Sequence, residues 1–353
     1  MPRTVTLPSA VDATDFRLLN EWQRGFPLDP QPFARVGEAV GLDEAQVIAA
    51  YRRLIDGGLV SRVGAVFAPR RLGASALAAL AAPPERLEEI AARVSGEPAI
   101  NHNYQREHRY NLWFVVTAAS EGHLQDVVAG IERDTGCAVI VLPLEEEFHI
   151  DLGFDLGFDL GADQGGQRAA CHRSAEPRPI ATAQGAACAL PGLERDLITV
   201  LQAGLPLVPR PYAALGEQAG LTEAMAIELI ERWQAEGLIR RLGVVVRHHE
   251  LGLEANAMCV WDIPDNKVSE LGRLLAREPA VTLCYRRRRV MPGWPYNLFC
   301  MIHGSARDDV LAARGEIAAR LGLDAAPHDV LFSCRRFKQT GARYLSAKEG
   351  AHV

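Results

Sequence analysis

Apolar residues change their spacing along the chain, and each change marks an element. Residues 12–24, 32–40 and 43–56 carry them at helical spacing. Asp12 or Thr14 is placed to cap the first helix and Asp43 the third, while Gly57 and Gly58 end the third. The run LVSRVGAVF (59–67) then alternates as a strand does. Three helices and a strand pair predict a winged helix-turn-helix. Next come strand 74–82, helix 84–96, strands 99–106 and 110–118, helix 122–136 and strand 138–149. That order, β-α-β-β-α-β, is the ferredoxin-like plan.

The whole pattern occurs twice. FARVGEAVGL (33–42) is answered by YAALGEQAGL (212–221), and GLVSRVG (58–64) by GLIRRLG (237–243). RYNLWFVV (109–116) is answered by PYNLFCMI (295–302), and EEFHIDLG (146–153) by RRFKQTGA (335–342). So long a period means a duplicated domain pair. The reading divides the chain into helix-turn-helix domains at 1–68 and 191–247, ferredoxin-like domains at 69–153 and 248–346, and a linker at 154–190, expected to be partly disordered. The fold class is α+β. Helices cover one face of each sheet, and the two open faces are expected to meet in an internal pseudo-dimer. A cavity left between them is a candidate ligand site. A free sheet edge or a helical face would join two chains into a homodimer.

Composition narrows the function classes. At 48% hydrophobic and 23% charged, the 353 residues are ordinary for a globular protein. The net charge of -6 argues against a basic nucleic-acid coat. Carboxylates open both candidate reader helices, at Asp43-Glu44 and at Glu223, where DNA phosphate would lie. No nucleic-acid partner is therefore expected. No apolar run is long enough for a membrane span, and the N-terminus lacks an apolar signal core, so a cytoplasmic protein is expected. Seven scattered cysteines with no C-x-x-C argue for a reducing compartment and against structural zinc.

Polar chemistry concentrates at 101–111, NHNYQREHRYN. Alternation puts His102, Tyr104 and Arg106 on one face of a strand and Asn103 and Gln105 on the other, with His108 near the turn. A solvated hairpin explains some of this polarity, but two imidazoles, two guanidiniums and two phenols exceed what a turn needs. The second copy has Tyr285, four consecutive arginines from Arg286 to Arg289, and a stiff loop around Trp294. On an open sheet face these arginines make an anion clamp; on a solvated face they are a charge run. Trp294 either stacks on a planar ligand or plugs its loop. Where the first copy has His102, the second has Leu283, while Tyr104 and Arg106 recur as Tyr285 and Arg287. A residue suited to proton transfer near neutral pH survives in one copy alone. The trio Glu145-Glu146-Glu147 opposes Cys334-Arg335-Arg336, as an ion-pair network between copies or as solvated edge charges.

The two-domain plan resembles the Lrp/AsnC architecture. The motifs NHNYQREHRYNLWFVV (101–116), CYRRRRVMPGWPYNLFCMIHG (284–304) and GLIRRLGVVVRHHELG (237–252) resemble the siroheme decarboxylases, in their fused NirDL form. The resemblance covers nearly the whole chain except 154–190. It implies removal of carboxyl groups from the C12 and C18 acetates of sirohaem, giving 12,18-didecarboxysirohaem and carbon dioxide on the way to the haem of a nitrite reductase. It implies no external cofactor, since the iron is part of the substrate, and sirohaem and its product as the partners. The family's motif falls on His102, Arg106 and His108, and its arginine loop on Arg286, Arg287 and Arg289. Decarboxylating a pyrrole acetate requires protonation of the ring as an electron sink, a task for His102 first and His108 second. Tyr104 or Tyr110 is a proton shuttle or hydrogen-bond donor and Arg106 an orienting group. Candidate substrate-binding residues beyond the arginine loop are Tyr110, Trp294 and Tyr296, together with Arg247, His248 and Lys338. No resident metal site is expected. The first copy's EEEFHID departs from the RRFK form of the second, which leaves open whether there are one or two active pockets. The competing readings are a tetrapyrrole-responsive transcription regulator on the same fold and a sensor or carrier without chemistry.

Overall fold

The computed structural model describes residues 11–68, 71–150, 192–247, 255–304 and 306–345. The linker at 154–190 and the pair His248-His249 lie outside the described residues. The first three helices are α1 (Ala13–Asn20), α2 (Pro32–Val40) and α3 (Glu44–Asp56). Asp12 caps α1 by accepting from the backbone N–H of Asp15 at 2.7 Å. Asp43 and Gln46 form a reciprocal capping box at the start of α3. The strand β1 (Val60–Phe67) follows.

The ferredoxin-like unit of the first copy is β2 (Ala74–Leu80), α4 (Leu87–Gly96), β3 (Ile100–Arg106), β4 (Leu112–Ala118), α5 (Glu121–Thr135) and β5 (Val139–Ile150). The second copy repeats the series as α6 (Gly192–Leu201), α7 (Pro211–Ala219), α8 (Glu223–Ala235) and β6 (Ile239–Val246), then β7 (Ala255–Trp261), α9 (Val268–Leu275), β8 (Val281–Arg287), β9 (Leu298–Gly304), α10 (Arg307–Leu321) and β10 (His328–Gln339).

The strand pair expected inside each winged domain forms instead between the copies. β1 pairs antiparallel with β6, and Gly64 faces its counterpart Gly243 at the centre of the register. Both glycines lie against backbone: a Cβ on Gly64 would fall 2.8 Å from the Cα of Gly204, and one on Gly243 would fall 2.4 Å from the carbonyl oxygen of Gln23. The helices of both domains share one apolar core, in which Leu18, Phe33 and Tyr51 of the first copy join Leu197, Tyr212 and Trp233 of the second.

The two copies form the expected internal pseudo-dimer, but their sheets meet by joining edges into one barrel. Their eight strands close in the order β10-β3-β4-β2-β5-β8-β9-β7. The seams are β3–β10 and β5–β8, so the last strand of each copy pairs with the other copy. Closure uses up the sheet edges that would have been free for pairing a second chain. The former open faces now line the barrel interior with Leu77, Trp113, Leu142, Met258, Trp294, Phe299 and Leu331. Helices pack outside, over a separate core in each copy.

The seams are locked by exchanged phenylalanines. Phe148 from β5 packs into the second copy's helix–sheet core, and Phe337 from β10 packs into the first copy's. Gly272 on α9 makes room for Phe148, since a Cβ there would lie 2.2 Å from the ring. Gly272→Ala gains about 1 kcal/mol of helix propensity but forces the ring out of place, at a cost of about 1–3 kcal/mol or more for such overpacking. The variant should unfold at lower urea concentration than wild type; an equal or higher midpoint contradicts this packing.

Candidate active site

On β3 the face of each side chain is set by Asn103. Its amide donates to the Ala91 carbonyl at 3.1 Å and to Ser95 Oγ at 3.0 Å, both on α4. The neighbours His102, Tyr104 and Arg106 therefore point away from the helices. His102 stacks on Tyr104 with ring centroids 6.1 Å apart and planes 19° from parallel. Arg106 lies 5.8 Å over the same tyrosine ring and donates to the Leu331 carbonyl at 2.9 Å. Across the seam, Arg336 stands opposite Tyr104 and Gln339 opposite His102. Arg336 donates to Gln339 Oε1 at 3.3 Å. Burial, and next to it the positive charge of Arg62 on the wing strand β1, push the His102 pKa down to about 4. Burial raises the Tyr104 phenol, against the opposing pull of Arg106 and Arg336.

The other seam has the same register but different chemistry. Glu147 stands opposite Tyr285, and Ile150 opposite Leu283. Arg287 repeats Arg106: it donates to the Leu142 carbonyl at 2.7 Å and lies 4.5 Å over Tyr285. Among the departures from pseudo-symmetry along the seams, His102 is matched by Leu283 and Arg336 by Glu147. Glu147 forms a two-pronged ion pair with Arg240 of the wing strand β6. Glu145 takes Arg286 at 2.9 Å, and Glu146 takes Ser269 at 2.5 Å and Arg273 at 3.0 Å. The acidic trio is thus an ion-pair network between the copies.

Several candidates lie apart from His102. His108 is at the hairpin end of the barrel. Its Nδ1 accepts from the Tyr110 N–H at 3.0 Å, and its Nε2 faces Asp329 at 3.5 Å. Burial lowers its pKa, with Asp329 acting in the opposite direction. At about 3.3 Å per residue, the four steps from His102 to Arg106 already span about 13 Å, so the two imidazoles are not brought together. Trp294 is fully buried as a plug, 4.9 Å from Trp113, 5.0 Å from Tyr296 and 5.4 Å from His108 between ring centroids.

The remaining candidate cations also have partners. Arg289 is held by Asp262 at 2.7 Å and Asp265 at 2.8 Å, and Arg286 also reaches Asp265 at 3.1 Å. Lys338 donates to the Ser95 and Glu97 carbonyls at 2.8 and 2.9 Å, at the end of α4. Arg247 reaches the Gly58 carbonyl at 3.4 Å. His248 lies outside the described residues. Among the described residues, no three His, Cys, Asp or Glu side chains converge as metal ligands. Sequence reasoning missed Arg62 and Arg336 as neighbours of His102. Their only signal was the repeated arginine in GLVSRVG and GLIRRLG and the basic form of the RRFK segment.

The depressed His102 pKa has a defined effect on stability. Between an unfolded value near 6.5 and the folded value of about 4, the unfolded chain binds the extra proton, so the contribution of neutral His102 is present above pH 6.5 and lost as pH falls. Relative to His102→Leu, wild type should lose on the order of 2 kcal/mol between pH 7 and pH 4.5. Urea unfolding of both proteins at the two pH values measures it; a pH-independent difference contradicts it.

Comparison with known proteins gives a consistent picture. The AsnC-like ligand binding domain matches residues 71–149 and 250–338. The siroheme decarboxylase NirDL-like HTH domain matches residues 15–60 and 194–240. The siroheme decarboxylase NirDL subunit of Paracoccus denitrificans is 43% identical over 332 residues, which cover 94% of this chain and 97% of that protein. The siroheme decarboxylase NirL subunit of Stutzerimonas stutzeri is 51% identical over 149 residues, 42% of this chain and 88% of that protein. A crystal structure of the siroheme decarboxylase NirDL in co-complex with an iron-uroporphyrin III analogue is similar over 94% of both chains, with a TM-score of 0.66 and 26% identity.

Proposed function

The chain belongs to the siroheme decarboxylases of the fused NirDL type, and on that footing we propose that it decarboxylates sirohaem at the junction of wing and barrel around His102. One observation carries the choice of place: of two seams with the same register, the first sets His102 beside Tyr104 with cationic neighbours, whereas the second has Leu283 at that position and its own imidazole, His149, stands opposite Cys284. The iron-uroporphyrin bound by the related NirDL supports a tetrapyrrole ligand. The reading calls for no separate cofactor, because the iron arrives as part of the substrate.

The chemistry follows from the proton balance. Each step converts an acetate carboxylate and one proton into a methyl group and carbon dioxide. His102 protonates the pyrrole carbon next to the one that bears the acetate. The electrons of the breaking carbon–carbon bond then flow into the cationic ring, leaving an exocyclic methylene. Protonation of that methylene and loss of the ring proton restore the pyrrole. A His102 neutral in the empty protein suits this role, because a polyanion beside it favours the imidazolium. Arg106, bonded to the Leu331 carbonyl, orients Tyr104. The C12 and C18 acetates sit on different rings, so one acid requires the macrocycle to be reseated between the steps. Glu44 and Glu223 at the starts of α3 and α8 oppose phosphate, which favours the helix-turn-helix pairs as walls of the site over a regulator's role on DNA.

Anaerobic incubation with sirohaem should give, by mass spectrometry, a product short of two carboxyl groups. His102→Ala should retain binding, followed by the sirohaem absorption bands, and lose about 10²- to 10⁴-fold in kcat. Unchanged turnover in that variant removes His102 from its role.

A further inference from the structure

Arg62 sits on β1, in the winged domain, yet its head lies against Gly341, two residues beyond Gln339, which stands opposite His102 of the barrel. Its stem is packed tightly: a Cβ on Gly204 would lie 3.1 Å from Arg62 Cβ and 3.3 Å from Cδ. Its head occupies the space left by another glycine, since a Cβ on Gly341 would lie 2.6 Å from Nη1 and 2.8 Å from Cζ. The guanidinium spends one hydrogen bond on a carbonyl, Nη2 donating to Ala65 at 3.0 Å, while its buried Nε has no partner. Among the described residues it forms no ion pair. A guanidinium so held and left without a carboxylate is costly unless a ligand completes it. Burial alone pushes its pKa down to about 10.

In the second half of the molecule a wing arginine also reaches its seam: Arg240, one position before Arg241, the repeat counterpart of Arg62, holds the carboxylate of Glu147 with both of its terminal nitrogens. Glu147 occupies the register position that Arg336 takes in the first half. A wing guanidinium gripping a carboxylate at the seam is thus already present once in this fold, with the acid supplied by the chain. At the His102 seam the chain supplies arginine in that position.

We propose that Arg62 grips a carboxylate of the tetrapyrrole, so that the wing strand helps to seat the substrate over His102. The proposal rests on the decarboxylase reading and adds a binding residue from a second domain. It also assigns one substrate seat per chain, the other being filled by Glu147.

The test compares wild type with Arg62→Gln and Arg62→Lys in steady-state turnover of sirohaem, with thermal unfolding confirming that each variant is folded. Arg62→Gln should raise KM about 10- to 100-fold, the worth of a charge-assisted hydrogen bond, and Arg62→Lys should recover part of the loss. A second readout separates this role from a purely structural one. His102 is faced by Arg62 from β1, by Tyr104 on its own strand, and by Gln339 with Arg336 from β10. Removing the charge of Arg62 alone should move the alkaline limb of the kcat/KM profile, where His102 as general acid loses its proton, to higher pH. In an active enzyme, an unchanged KM and profile for folded Arg62→Gln overturns the assignment of Arg62 and leaves the decarboxylase reading standing. No turnover by wild type overturns that reading and the proposal together. Two equivalents of iron-uroporphyrin bound per wild-type chain, by absorbance titration, overturn the single seat.

Discussion

The last strand of each ferredoxin-like unit runs for twelve residues and finishes on the other copy. This crossing is the constraint on which the rest of the molecule depends. A sheet with one bare face and unpaired edges is unstable in water, and two such sheets in one chain solve both problems by trading strands. The seams bury Phe148 and Phe337 in the opposite copy's core, so neither unit keeps its packing without the other. The wing strands make a second bond between the copies, and together these contacts hold the winged domains against one end of the barrel.

Symmetry then becomes the background against which function stands out. Tyr104 and Tyr285, Arg106 and Arg287, and the carbonyls of Leu331 and Leu142 are matched pairs with matched contacts. Matched pairs of this kind are what a duplicated scaffold needs. The departures are local and opposite in charge: His102 with Arg336 at one seam, Leu283 with the Glu147–Arg240 pair at the other. The ion pairs of Glu145 and Glu146 also neutralise arginines that would otherwise offer an anion a second place to bind.

Much of this was legible in the sequence, and the limits have physical causes. Periodicity and capping residues placed every helix and strand of the two copies, because both signals are local. Alternation put His102, Tyr104 and Arg106 on one face, and Asn103 confirms the phase by bonding α4. What alternation cannot convey is the partner of a strand: the run VSRVGAVF announces β1 but not that it pairs with β6. For the same reason Arg62 went unrecognised, since only tertiary packing brings the wing over β3. Proximity in sequence also misled at the hairpin. His102 and His108 are six positions apart, yet an extended strand carries them to different ends of the barrel. The arginine run at 286–289 read as a clamp because Asp262 and Asp265, which hold Arg286 and Arg289, come from a distant loop.

The central claim is that the imidazole, not the hairpin aromatics or the Leu283 seam, marks the seat of the ring. A crystal structure of this chain with a bound iron-uroporphyrin tests it most directly. The account predicts the macrocycle at the junction of wing and barrel, with the edge of a pyrrole at His102. A macrocycle lodged beside Trp294 and His108, or against Leu283 and Glu147, would contradict it.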